Sequence, residues 1–171
     1  IVSLLLREFT DPEHRSEEAL ETLGSVIPVL EELGDDLGLA RAYRLLGDVH
    51  FTQSTYAKAD RALELAIEHA RKAGAEYEEA ESLHMYAGTG LFGPAPVADV
   101  MTRCERIMEL AKGNPTAEAG AFRSMAALNA MQGRFDEARR LVRKSLEILE
   151  DHGLRMRASF ASEAEGFIET L

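Results

Sequence analysis

Few residues in this chain stand at spacings that could do chemistry. Gly88-Thr89-Gly90-Leu91-Phe92-Gly93 matches by letter the G-x-G-x-x-G spacing that cradles a dinucleotide phosphate. That chemistry needs a strand before the glycines and a helix start after them, so that free backbone N–H groups meet the phosphate. Here a helical pattern precedes, and Pro94 and Pro96 follow, so the segment reads as a widened turn between two helices. Glu81 and His84 form an E-x-x-H pair on one helical face, but a di-iron bundle needs a second such pair and two further carboxylates. The second pair is absent, leaving a surface or groove pair. His14, His50, His69 and His152 lack an i,i+4 partner or a cysteine spacing suited to zinc. His50 reads as a partly buried structural histidine, and Cys104 falls on an apolar stripe as a small core hydrophobe. With no G-x-S-x-G and no P-loop, the residues point to no enzyme, no cofactor and no metal.

The elements that carry these residues follow from composition and period. The 171 residues hold 19 Lys and Arg against 30 Asp and Glu, a net charge of −11, which argues against nucleic acid or an anionic membrane as a direct partner. One cysteine excludes an intrachain disulfide, and a reducing, cytoplasmic setting is expected. No apolar run approaches the length of a membrane-spanning helix, and the opening IVSLLLREF is too short, and too soon followed by acids, for a signal peptide. The first residue is Ile, and the chain is expected to be a fragment of a longer one.

Ala, Leu and Glu dominate and no segment alternates strictly, which predicts an all-α protein. Gly34, Gly74, Gly113 and Gly153 recur at intervals of 40, 39 and 40 residues, each closing an amphipathic run as a left-handed C-terminal glycine does. A helical pattern follows each of the first three: Ala40, Tyr43, Leu46 and Gly47; Ala80, Leu83, Tyr86 and Ala87; Ala119, Phe122, Met125 and Ala126. The partial copy keeps only small residues at its ends, Ser159 and Gly166. Fifteen residues before each glycine stands an alanine: Ala19, Ala59, Ala98 and Ala138. The third unit departs from the pattern, with an apolar stripe of Met101, Cys104 and Met108 and a long turn from Gly90 to Pro96. Helices are expected near 1–9, 12–33, 36–52, 55–73, 75–90, 95–112, 115–131, 134–152 and 154–171, with a kink or break at Pro28. The units span about 1–34, 35–74, 75–113, 114–153 and a partial 154–171, forming one domain.

These positions resemble the tetratricopeptide repeat, whose small residues stand at positions 8, 20 and 27 of the unit and whose bulky ones stand at 4, 7, 11, 17 and 24. Gly47, Ala59 and Ala66 in one unit, and Ala126, Ala138 and Ser145 in another, occupy those places. The period is 39–40 residues instead of 34, which about one and a half extra helical turns explain. The resemblance implies a right-handed solenoid of helical hairpins. LGDDLGLARAYRLLGDVHF and MQGRFDEARRLVRKSLEILEDHGLR are in addition similar to the helical-repeat regions of large bacterial signalling regulators. There, an adenylate cyclase-like or DNA-binding domain shares the chain with an ATPase.

The resemblance places the binding surface on the concave side, lined by the first helix of each unit. Its groove positions fall on Arg41, Arg44, Asp48, Phe51, Glu81, His84, Leu91, Arg123 and Glu163, with Phe92 beside them in the long turn. Arg44, His84 and Arg123 then form a column of three potential cations, ending at Glu163. The chaperone-tail carboxylate clamp of the family needs Asn where Asp48 and Met85 stand, so that activity is not implied. Runs such as Glu78-Glu79-Ala80-Glu81 read as solvated faces or acidic helix starts, and Arg139, Arg140, Arg143 and Lys144 as an outer face offset by nearby acids. The expected function is a non-catalytic, regulatory interaction module. Its partner would be a protein or peptide, an acidic one in particular, or another domain of the same chain. The alternative is a structural spacer within a multidomain regulator.

Overall fold

The computed structural model describes residues 12–111 and 113–169. The helix expected at 1–9 lies outside the described residues. Every regular element described is a helix: α1 (Pro12–Leu33), α2 (Asp36–Thr52), α3 (Tyr56–Lys72), α4 (Glu76–Thr89), α5 (Val97–Leu110), α6 (Pro115–Met131), α7 (Phe135–Asp151) and α8 (Arg155–Glu169). None of them is long and apolar enough to cross a membrane. The chain divides into two compact units, 1–82 and 83–171, with the division inside α4.

The recurring glycines stop the helices as the period requires. Gly74 has φ of 62°, which only a residue without Cβ adopts at no steric cost. Its N–H donates to the Arg71 carbonyl and that of Ala75 to the Ala70 carbonyl, which closes the open end of α3. The same pair of bonds closes α1 at Gly34 and α7 at Gly153. Ser54 adopts the same conformation, with φ of 57°, at the end of α2. Helix starts are capped too: the Asp35 carboxylate accepts from the Gly38 N–H, and Asn114 from those of Thr116 and Ala117. α1 runs unbroken through Pro28, contrary to a break there. The carbonyl of Gly24, which the proline cannot bond, belongs to an exposed residue.

In the first unit, α2 packs against both α1 and α3. The α2–α3 pair is antiparallel. Asp36 at the start of α2 meets His69 at the end of α3, with Oδ1 and Nδ1 2.7 Å apart, while Phe51 at the end of α2 meets Tyr56 at the start of α3 edge-on. Small residues let the two backbones approach. Gly47 and Ala59 are buried, and a Cβ on Gly47 would lie 2.8 Å from the Leu63 side chain. Leu45, Val49 and Leu63 fill the space around them. The expected histidine role holds for His50: it is half-buried, its Nδ1 lies 3.0 Å from the Thr55 hydroxyl, and burial first, then Lys58, lowers its pKa.

The second unit repeats the device. α6 and α7 pack together, and α8 packs on α7. Ala126 and Ala138 are wholly buried in one cluster with Phe122, Leu141 and Val142. Ala138→Leu should overpack this crossing and lower stability by about 1–3 kcal/mol, read as a fall in urea midpoint; an unchanged midpoint would show that the crossing has slack. The stretch expected as an irregular third repeat differs from its expected phase. Ala98 is exposed, and the buried stripe of α5 is Val100, Cys104 and Ile107, with Met101 and Met108 only half-buried. Seven residues, Gly90–Pro96, lie outside any helix before α5. Cys104 is a core residue as expected, its thiol pushed up to about 12 by burial.

Candidate interaction sites

In the first unit, the groove arginines meet an acid. Arg41 and Arg44 stand one turn apart on α2, and each donates its Nε–H to a different oxygen of Glu78, at 2.9 and 3.0 Å. Asp48, the next residue on that face, lies 3.9 Å from the Arg44 guanidinium. The Glu78 side chain is 7% exposed, that of Arg44 14% and that of Arg41 50%. The reading of Glu78 as part of a solvated acidic run is thus corrected. It is a buried carboxylate whose two oxygens are both satisfied by guanidinium donors. Its neighbour Glu79 pairs with Arg71 nearer the surface. Phe51, expected in the groove, packs against Tyr56.

In the second unit, the structure brings His84 and Arg123 together. Both line a cavity of about 180 Å³ with Ser145, Leu149, Arg157 and Ala161. α4 supplies the histidine, α6 Arg123, α7 the serine and leucine, and α8 the rest. Gly120 makes the approach of α4 possible. A Cβ there would run into His84 Nδ1 and come within 3.2 Å of the His84 Cα, so both side chain and backbone would have to move. His84 Nδ1 lies 3.3 Å from the Thr116 carbonyl. Since a carbonyl only accepts, that nitrogen carries the proton and Nε2 is left as an acceptor.

His84 is not the cation that the column expected. Burial pushes its pKa down to about 3, and repulsion by Arg123 and Arg157 acts in the same direction, while the Thr116 carbonyl opposes them. At neutral pH the ring is uncharged. Arg123 is itself held below its usual value, by burial first and by Arg157 second. No carboxylate among the described residues pairs with Arg123, and none among them lines the cavity. Arg157 and Ser145 were missed in the sequence. Ser145 stands at a position reserved for small residues, and Arg157 lies in the partial copy, where the pattern is weakest. The hydroxyl of Ser145 donates to the Ala119 carbonyl at 2.9 Å.

None of the other expected residues whose side chains are described lines this cavity. Glu81 is half-buried on α4. Leu91 is half-buried and Phe92 exposed, in the long turn between α4 and α5. The side chain of Glu163 lies outside the described residues. On the outer face of α7, Asp136 pairs with Arg139, Glu137 with Arg140 and Glu165 with Arg143, so the basic run is offset as expected. The Lys144 ammonium sits 4.4 Å above the centre of the Phe122 ring. Among the described residues no cluster of His, Cys, Asp and Glu could hold a metal ion. No family model matches the chain, and no curated protein is significantly similar to it.

Proposed function

We propose that this chain is a non-catalytic interaction module built from tetratricopeptide-like helical hairpins in a right-handed solenoid. Its partner is an acidic segment of a protein or peptide, or of another domain of its own chain. The observation that carries the reading is the burial of the small residues at the helix crossings. Gly47 and Ala59 in one hairpin, and Ala126 and Ala138 in another, stand where a repeat of this kind needs them. The cavity lined by Arg123 and Arg157 supports an acidic partner, because it gathers positive charge on a chain of net charge −11. A cytoplasmic place in a larger signalling or transcription regulator suits the lone buried cysteine.

The second reading, a structural spacer, draws on the first unit. There Arg41 and Arg44 are held by Glu78, which leaves less of their charge for a partner. Fluorescence anisotropy with capped decapeptides separates the two readings. An interaction module should bind an acidic, Glu-rich peptide and release it as salt rises, and should ignore its Gln-rich counterpart. Equal, negligible binding of both peptides at low salt would leave the spacer.

A further inference from the structure

The cavity of the second unit has a size and a lining that say what fits it. At about 180 Å³ it falls below the roughly 300–1,000 Å³ of sites for drug-sized ligands and cofactors. Yet it offers the volume of about six waters, at roughly 30 Å³ each. Alanines at 119 and 161, both buried, leave this room open. Its lining joins apolar groups, Leu149, Met156 and the alanines, to polar ones, His84, Arg123, Ser145 and Arg157.

Most of those polar groups are already engaged. The Ser145 O–H is spent on the Ala119 carbonyl, and the His84 N–H faces the Thr116 carbonyl. The Arg123 guanidinium is the exception. Its donors have no carboxylate among the described residues, and the second cation, Arg157, lies close enough to lower its pKa. Among the described residues this guanidinium is thus packed near a like charge with no acid beside it, which is unfavourable. An arginine fork matches the two oxygens of a carboxylate or phosphoryl group.

We infer that this cavity, lined by His84, Arg123, Ser145 and Arg157, is a receptor for one oxyanion group, a carboxylate or a phosphoryl. The group enters beside Arg123 and takes its fork-shaped donors, while the neutral imidazole and the alanines shape the space. The inference rests on the interaction reading only for the source of the group, an acidic side chain of a bound peptide. A free small anion is the other source.

Side-chain Nε–H spectra of the whole chain test it at low salt. The probes are sodium acetate, inorganic phosphate, a capped Gly-Gly-Glu-Gly-Gly peptide and its Gln counterpart. The Arg123 Nε–H resonance should shift and saturate with the oxyanion probes and stay in place with the Gln peptide. Saturation by the Glu peptide at lower concentration than acetate supports a peptide source; the reverse order supports a free anion. Arg123→Gln should weaken the response at least tenfold, with Arg123→Lys in between, because an ammonium keeps the charge and loses the fork. Arg123→Gln should also melt no lower than the parent, since it removes a buried charge that no carboxylate among the described residues compensates. The inference is overturned if no probe gives a saturable shift, if the Gln peptide acts like the Glu peptide, if Arg123→Gln binds as before, or if its melting temperature falls. An acidic decapeptide that still bound in any of those cases would leave the interaction reading standing without this receptor.

Discussion

Glu78→Ala should lower the unfolding free energy by about 3 kcal/mol, the largest single-residue loss expected in the first unit. Both oxygens of Glu78 accept from guanidinium groups, and its side chain is almost fully enclosed. Removing one partner of a buried ion pair costs about 3–5 kcal/mol, because the charge left behind has lost its solvent as well as its partner. Arg41 is half-exposed and can turn to water, which places the loss near the lower end of that range. Arg44 is more enclosed, and would keep only Asp48, whose oxygen lies 3.9 Å away. Glu79→Ala is the matched control, one residue along the same helix. Its pair with Arg71 is 26% and 41% exposed, so the loss should stay below about 1 kcal/mol. Urea unfolding followed by circular dichroism measures both. Equal losses for the two variants would show that Glu78 is not the buried centre of this cluster.

Acidification should weaken the second unit through His84 before its carboxylates begin to titrate. The ordinary imidazole value is about 6.5, and the folded value is about 3. Between those limits the unfolded chain binds the proton and the folded chain does not, so folding stability falls as pH is lowered. The contribution is fully present above about 6.5 and is lost on the way down to about 3, at about 1.4 kcal/mol per pH unit. His50, whose pKa is also lowered by burial, acts with the same sign. His84→Gln removes the larger effect while leaving His50 in place. From pH 6.5 to 4.5 the parent should therefore lose about 2–3 kcal/mol more than this variant. Parallel pH profiles would mean that the imidazole is as well solvated folded as unfolded.

Much of the architecture was legible because it depends on local physics with a strong period. Helix ends at Gly34, Gly74 and Gly153 follow from the need for a left-handed residue, and the buried Gly47, Ala59, Ala126 and Ala138 from the closeness of helix backbones. The phase of α5 was not legible. Its buried residues Val100, Cys104 and Ile107 do not fall at the register that counting back from Gly113 gives. Glu78 was misread because an acid in a first helical turn looks solvated wherever it stands. Only the placement of Arg41 and Arg44 across from it makes it a buried partner. His84 and Arg123, two members of the expected column, line one cavity, yet His84 carries no charge there at neutral pH. A sequence position carries no information about desolvation, and here desolvation decides the protonation state. Gly120 could have been found: a glycine inside a helical pattern marks a close approach, and the approaching group is His84.

The central claim is that an acidic partner is held at the cavity of the second unit and not by diffuse attraction to exposed arginines. Two variants with the same change of net charge test it most directly: Arg123→Glu, in the cavity, and Arg140→Glu, on the exposed face of α7. Affinity for the Glu-rich decapeptide is measured by anisotropy at one fixed ionic strength. The account predicts at least a tenfold loss for Arg123→Glu and less than a twofold change for Arg140→Glu. Equal losses would assign the binding to net charge alone, and a larger loss for Arg140→Glu would contradict the account outright.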